Sequence, residues 1–363
     1  MLLDIYGVSN CHLLENEELI KLETYMRRGN TMNLLELLEV DTAYEVKLAL
    51  PNEIFSMLMD EVESGNLKSI HLPFAYSYLY LTTYMYRYGK YEKHMASTQD
   101  IKVMLGYDKQ DKRINYIIKE NGLLEQIGLI ETTKDIPVGY TWQYEDGIKR
   151  EFVKIEYLDD IKETFLLEEE FIYYKKQLRW TSRMTVKRPR FAYVNDLTMD
   201  LDDIDDEYDY DGTFYKTDRT HIIDFRVFDF CMQREDLGVT GFYMYSYLKY
   251  KNDLHGGYDA SRERLASELG LSTATISRYR DALRKYNLIE LVNNMKTFNS
   301  RMKKEEFKAP TNHVNDFEKV VPEGVEYEKF LDAIERKSDS KNETYMDKYG
   351  NEIIKFDIAD LPY

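Results

Sequence analysis

The sequence predicts a mainly α fold of the α+β class. It would hold two copies of one three-helix unit, each closed by short strands, behind an N-terminal helical element. Three observations carry this expectation. Residues 261–286 read as a serine-capped helix, a glycine turn and a second helix with a single apolar face. Residues 97–131 repeat that pattern, and a β-like run follows each copy. At 363 residues the chain has room for two or three domains of about 150 residues each.

Residues 1–69 come first. "LLELLEV" and "IFSMLMDEV" have helical apolar spacing beneath an acidic surface with no basic face. A packing or oligomerisation element is the expected role.

Residues 70–165 hold the first copy. An aromatic helix-like run, "FAYSYLYLTTYMYRYGKY", starts at Phe74 and would cover the two helices that follow. "STQDIKVMLGY" matches "SRERLASELGL" of the second copy, with Ser, two apolar positions and Gly at the same offsets. "INYIIKENGLLEQIGLIE" places Ile117 on Ile276, Leu124 on Leu283 and Ile130 on Ile289, with five extra residues, "DKQDK", in the turn. Asn121-Gly122 falls inside the second of these helices and would stop or kink it, because glycine costs about 1 kcal/mol there against alanine. The outward positions before the break are Lys112, Asn115 and Lys119. Residues 129–158 read as strands with a turn at Glu145-Asp146-Gly147, and Lys149, Arg150 and Lys154 lie on or near it.

Residues 166–220 form a connector of two opposite halves. Lys175 to Arg190 carries seven bases, Lys187, Arg188 and Arg190 among them, and no acid. Such a stretch either tracks a phosphate backbone or pairs with the acidic run that follows, 195–211, which has nine acids and no base. That run is poor in aliphatic residues and reads as a disordered linker.

Residues 221–300 hold the second copy, again after an aromatic run, "GVTGFYMYSYLKYKNDL". Ser261 can cap a helix with Leu265, Ala266 and Leu269 inward. Gly270 supplies a turn with positive φ. Ser272 can cap the next helix, where Ile276, Tyr279, Leu283 and Tyr286 share a face and Ala274, Arg278, Asp281 and Lys285 point away from it. "NLIELV" then opens a strand. A plain αα-hairpin in a core is the competing reading.

Residues 301–363 form a C-terminal extension and tail that closes on Asp360-Leu361-Pro362-Tyr363.

Charge and composition narrow the classes. The net charge is −17, yet residues 1–70, 195–211 and 312–363 hold −8, −9 and −6 of it, so the remainder is +6. Binding to phosphate depends on the field within a Debye length of about 8–10 Å, not on the total. Cys11 and Cys231 lie far apart, which fits a reducing compartment. No run of about 18 apolar residues and no signal-like start is present, so a cytoplasmic protein without a membrane partner is expected. Six scattered histidines, the absence of a glycine-rich phosphate loop and the absence of a Cys-x-x-Cys pair imply no cofactor, no metal and no catalytic role.

Helix, glycine turn, helix and strand, with Ser272, Thr273, Thr275, Ser277 and Arg278 at the start of the second helix, resemble a winged helix-turn-helix. Duplicated over about 70–165 and 221–295, the pattern is similar to the tandem winged-helix replication initiators of plasmids and phages in Gram-positive bacteria. The resemblance implies binding of double-stranded DNA at origin repeats, with those five residues and Lys285 as the stronger interface. Lys112, Asn115 and Lys119 would form the weaker one, with Lys149 and Arg150 on a wing. It also allows a homodimer. The final Asp360, Leu361, Pro362 and Tyr363 resemble the acidic tip by which bacterial single-stranded-DNA-binding proteins dock on replication proteins, which implies host replication partners. A tail packed on its own domain is the alternative. A phage or plasmid transcriptional regulator would use the same helices.

Overall fold

The computed structural model describes residues 33–91, 96–145, 150–177, 181, 184–190, 219–294 and 308–325. In chain order the helices are α1 (Leu34–Leu37), α2 (Glu53–Glu63), α3 (Leu72–Arg87), α4 (Thr98–Met104), α5 (Asn115–Ile118), α6 (Leu123–Gln126), α7 (Glu168–Gln177), α8 (Phe225–Met232), α9 (Gly238–His255), α10 (Arg262–Leu269) and α11 (Thr273–Lys285). The strands are β1 (Lys47–Pro51), β2 (Ile130–Thr133), β3 (Pro137–Glu145), β4 (Arg150–Tyr157), β5 (Val186–Pro189), β6 (Thr220–Asp224), β7 (Tyr258–Asp259), β8 (Ile289–Val292) and β9 (Thr311–Val314). The fold is mixed α and β, richer in helix, and its sheets are small and antiparallel. Among the described residues no helix is long and apolar enough to cross a membrane.

Two compact units share the chain, and neither is contiguous. One comprises Met1–Val46, Tyr78–Lys216 and Asp229–Glu235; the other comprises Lys47–Ser77, Thr217–Phe228 and Asp236–Tyr363. This differs from the sequential division at 69, 165, 220 and 300. The reason is strand pairing. β1 finds its partner in β6, with Leu50 opposite His221, so part of the expected N-terminal element belongs to the second unit. β9 closes a sheet with β8 and β7, so that unit runs past residue 300. β5 pairs with β2, which places part of the basic connector inside the first unit.

The second unit is built on aromatic packing. α2 buries Ile54, Phe55 and Leu58. The Phe55 ring stacks on Tyr76 at 5.0 Å and on Tyr250 at 5.6 Å. His221 is 1% exposed beside them. Its Nδ1–H donates to Asn52 Oδ1 over 3.1 Å, and its Nε2 accepts from the Tyr76 hydroxyl over 2.7 Å. Both ring nitrogens of a neutral imidazole are thereby used, and burial pulls the pKa down to about 3. α9, buried from Val239 almost continuously to Leu248, ends at Gly256 in the left-handed region. α10, α11 and the three-stranded sheet, in the order β7-β9-β8, follow. Gly270 joins the two helices at φ +62°, which is why the turn needs glycine; a Cβ there would lie 2.9 Å from Met59 Sδ of α2, a contact the flexible methionine could yield.

The first unit repeats this backbone closely up to one point. Ser97 caps α4 at φ −71°, ψ 164°, as Ser261 caps α10 at φ −72°, ψ 166°. Gly128 and Asn287 both adopt positive φ, 75° and 57°, just before the strand. The return strand is anchored alike: the Arg190 amide donates to Leu129 O over 3.0 Å, and that of Asn315 to Leu288 O over 2.9 Å. The duplication read from the sequence is therefore present in the chain path. Between its copies the counterpart of α11 differs. It is split into α5 and α6 by Asn121, at φ 55°, and by Gly122, where a Cβ would meet Lys119 O at 2.7 Å. The connection between strands also differs. From β2 to β5 the chain makes the β3–β4 hairpin and α7, whereas β8 and β9 of the second unit are separated by residues 293–310, of which 295–307 lie outside those described. The turn expected at Glu145-Asp146-Gly147 lies partly outside the described residues, and the acidic run 195–211 lies wholly outside them.

Candidate nucleic-acid interface

α11 is positioned by its cap and its apolar face. Ser272 Oγ accepts from the Thr275 amide over 3.1 Å, which fixes the first turn. Ile276 and Leu283 are fully buried, Tyr286 is 7% exposed, and Tyr279 is half-buried on the same side. Ser272, Thr273, Ala274 and Arg278 are exposed, while Thr275 and Ser277 are half-buried. The Arg278 guanidinium sits 5.3 Å from the Tyr279 ring centroid. The outward face foreseen from the spacing is therefore outward, with Asp281 exposed on it as well.

Lys285 ends that face but is engaged. Its Nζ lies 3.0 Å from Asp236 Oδ2 and 3.0 Å from the Tyr286 hydroxyl, and those hydrogen bonds hold its pKa above the usual lysine range. It serves the C-terminal end of α11, where a cation also suits the helix dipole.

A second polar stripe runs beside the outward one. Ser277, Arg280 and Arg284 follow at i, i+3 and i+7 and so share a line along the helix. Arg262, at the first position of α10, donates from Nη1 to Ser277 Oγ over 3.3 Å. Arg280 is only 9% exposed, and its Nε has no hydrogen-bond partner. Burial, with Arg262 and Arg284 adding to it, pulls its pKa down to about 10, against the pull of Asp281 and Glu263. It remains charged at neutral pH. The apolar face and its opposite do not mark these three arginines; the i, i+3, i+7 spacing of Ser277, Arg280 and Arg284 is the sequence signal for two of them, and Arg262 on α10 has none.

In the first unit the expected residues separate. Lys112 and Lys119 are exposed, on either side of α5. Asn115 is spent: its Oδ1 accepts from Lys102 Nζ, which also donates to Asp111 O over 2.7 Å. Lys149 and the side chain of Arg150 lie outside the described residues, as does the side chain of Lys154.

Among the described residues, the β5 end of the basic connector is not a free arm. Lys187 is 8% exposed on β5, with Nζ 2.6 Å from Glu125 Oε1 and 2.7 Å from Thr132 Oγ1. Arg188 pairs with Glu131, directly across the β2–β5 ladder, and approaches Asp135 at 3.9 Å. Arg190 is exposed and lies 3.7 Å from the same Glu131. The strand register sets these bases against carboxylates of β2 and α6, so Lys187 and Arg188 are withdrawn as phosphate contacts. The internal pairing foreseen as the alternative occurs, with different acids. Asp360, Leu361, Pro362 and Tyr363 lie outside the described residues.

Compared with known proteins, the chain matches no family model, no curated protein and no solved structure.

Proposed function

We propose that the second unit is a winged helix-turn-helix that binds duplex DNA through α11, and that the chain acts at plasmid or phage origins. The observation that supports it best is the order α9, β7, α10, α11, β8, β9 with sheet order β7-β9-β8. In that order a capped 13-residue helix, about 20 Å long, leaves its first turns exposed while the strands return behind it. Arg278 is the base reader on this proposal, bonding a guanine edge bidentately. The first unit, whose equivalent helix is broken, contributes phosphate contacts through Lys112 and Lys119 instead of reading sequence.

Selection of bound duplex DNA, followed by Arg278→Ala, tests this. The variant should lose about 1–3 kcal/mol on the selected site and much less on sites changed at the contacted base pair. Equal loss on every sequence would reduce Arg278 to a phosphate contact. No retention of any duplex at low salt would end the proposal. The replication role has its own test: removing Leu361 to Tyr363 should spare DNA binding and abolish capture of a host replication protein. A truncation without effect would favour the regulator.

A further inference from the structure

We propose that Arg262, Ser277, Arg280 and Arg284 form an anion site on the flank of α11 that holds one phosphodiester of the bound duplex. This rests on α11 being the DNA-binding helix. The site stands on the position of Arg280. A guanidinium nine-tenths buried with Nε unpartnered is an unfavourable arrangement in a chain on its own, because a buried donor costs the full loss of its water. The neighbours make it worse. Arg262 crosses from α10 to reach Ser277, and Arg284 lies one turn further along α11, so like charges gather around the orphan donor. The acids that face the group are both exposed, Glu263 on the first turn of α10 and Asp281 on α11, the latter 4.0 Å from Arg284. Neither gives Arg280 a hydrogen bond among the described residues.

A phosphate oxygen supplies what is missing. It accepts charge-assisted hydrogen bonds from guanidinium donors, and the positive end of the eight-residue α10 lies at Arg262. The stripe begins at the half-buried Ser277 and adjoins the exposed first turn of α11 at Thr273, so a backbone phosphate there would set the depth and register of the helix while Arg278 reads a base.

The experiment uses the full chain and two readouts. In the first, thermal unfolding is followed in inorganic phosphate and in chloride of equal ionic strength. The unsubstituted protein should unfold at a higher temperature in phosphate. Arg280→Met should abolish that increment while unfolding no lower in chloride, because the substitution removes an unpaired buried charge. In the second readout, the slope of log affinity against log salt on duplex DNA should fall by about 1 in Arg280→Met, with sequence preference unchanged. Arg262→Gln, on the rim, serves as the second variant if Arg280→Met does not fold, and should weaken half-saturation by phosphate at least about threefold. An increment that persists in these variants overturns the site. An increment lost with the slope unchanged overturns the phosphodiester and leaves free phosphate as the ligand. Duplex binding with both readouts unchanged refutes the anion site alone; an increment lost in a chain that binds no duplex refutes the DNA reading alone.

Discussion

At the scale of single residues, burial decides which charges remain available. His221 lies in an aromatic cage with both nitrogens engaged by Asn52 and Tyr76, and burial brings its pKa to about 3. The unfolded value is near 6.5. Between those limits the unfolded chain binds a proton that the fold refuses, so this residue's contribution is complete above about pH 6.5 and is lost as pH falls. The expected slope approaches 1.4 kcal/mol per pH unit. Urea unfolding at pH 7.0 and 5.5 should show it, and His221→Gln should flatten it; an equal slope in both proteins would mean that the ring protonates without unfolding. Lys187 makes the contrasting case. Its ammonium is buried against Glu125 and Thr132, so Lys187→Met should cost about 3 kcal/mol of stability and leave the salt slope on duplex DNA untouched. A lowered slope with undiminished stability would restore it as a phosphate contact.

At the scale of elements, caps and turns were legible because their chemistry is local. Ser97, Ser261 and Ser272 cap the helices expected of them, and Gly106 and Gly270 turn at positive φ, as serine and glycine in those places dictate. The split of the first copy was legible too, from Asn121-Gly122. Strand partners were not: which of several short β-like runs meets which is settled by tertiary packing, and four residues such as "VKRP" or "TNHV" carry no signal of their own. Charge partners failed for the same reason, since Lys187 and Arg188 look like an arm until β2 is placed opposite. The split has a measurable consequence. Gly122→Ala would drive a Cβ to 2.7 Å from Lys119 O and should cost about 1–3 kcal/mol by chemical denaturation, whereas Asn121→Gly, at φ 55°, should be neutral or better. With α5 and α6 of four residues each, Lys112→Ala with Lys119→Ala should leave sequence discrimination unchanged and lower only the salt slope. Lost discrimination would mean that the broken helix still reads bases.

At the scale of the whole molecule, the units are assembled from segments far apart in the chain, which alters how the proposed DNA binding can be dissected. A fragment beginning at Arg219 would carry α9, α10, α11 and the β7-β9-β8 sheet, and on the sequence alone it looks like a complete binding module. It lacks β1, whose five residues pair with β6, and it lacks Asn52, Phe55 and Tyr76, which surround His221. It also lacks Met59, against which the Gly270 turn is packed. Losing the ring cluster around Phe55 alone would remove several kcal/mol, since a buried aromatic side chain contributes about 3–5, and a domain has only about 5–15 to spare. The same segment brings Glu53, Asp60, Glu61 and Glu63 to the second unit, so part of the acidity assigned to a flank belongs to the unit that carries α11 and, on the proposed reading, weakens that unit's attraction for a duplex. Residues 219–325 alone should therefore show no cooperative thermal transition and no duplex binding, and adding a peptide of residues 47–77 in trans should restore both in part. A fragment that unfolds cooperatively and binds DNA unaided would show that β1 and α2 are accessories to the second unit and not part of its core.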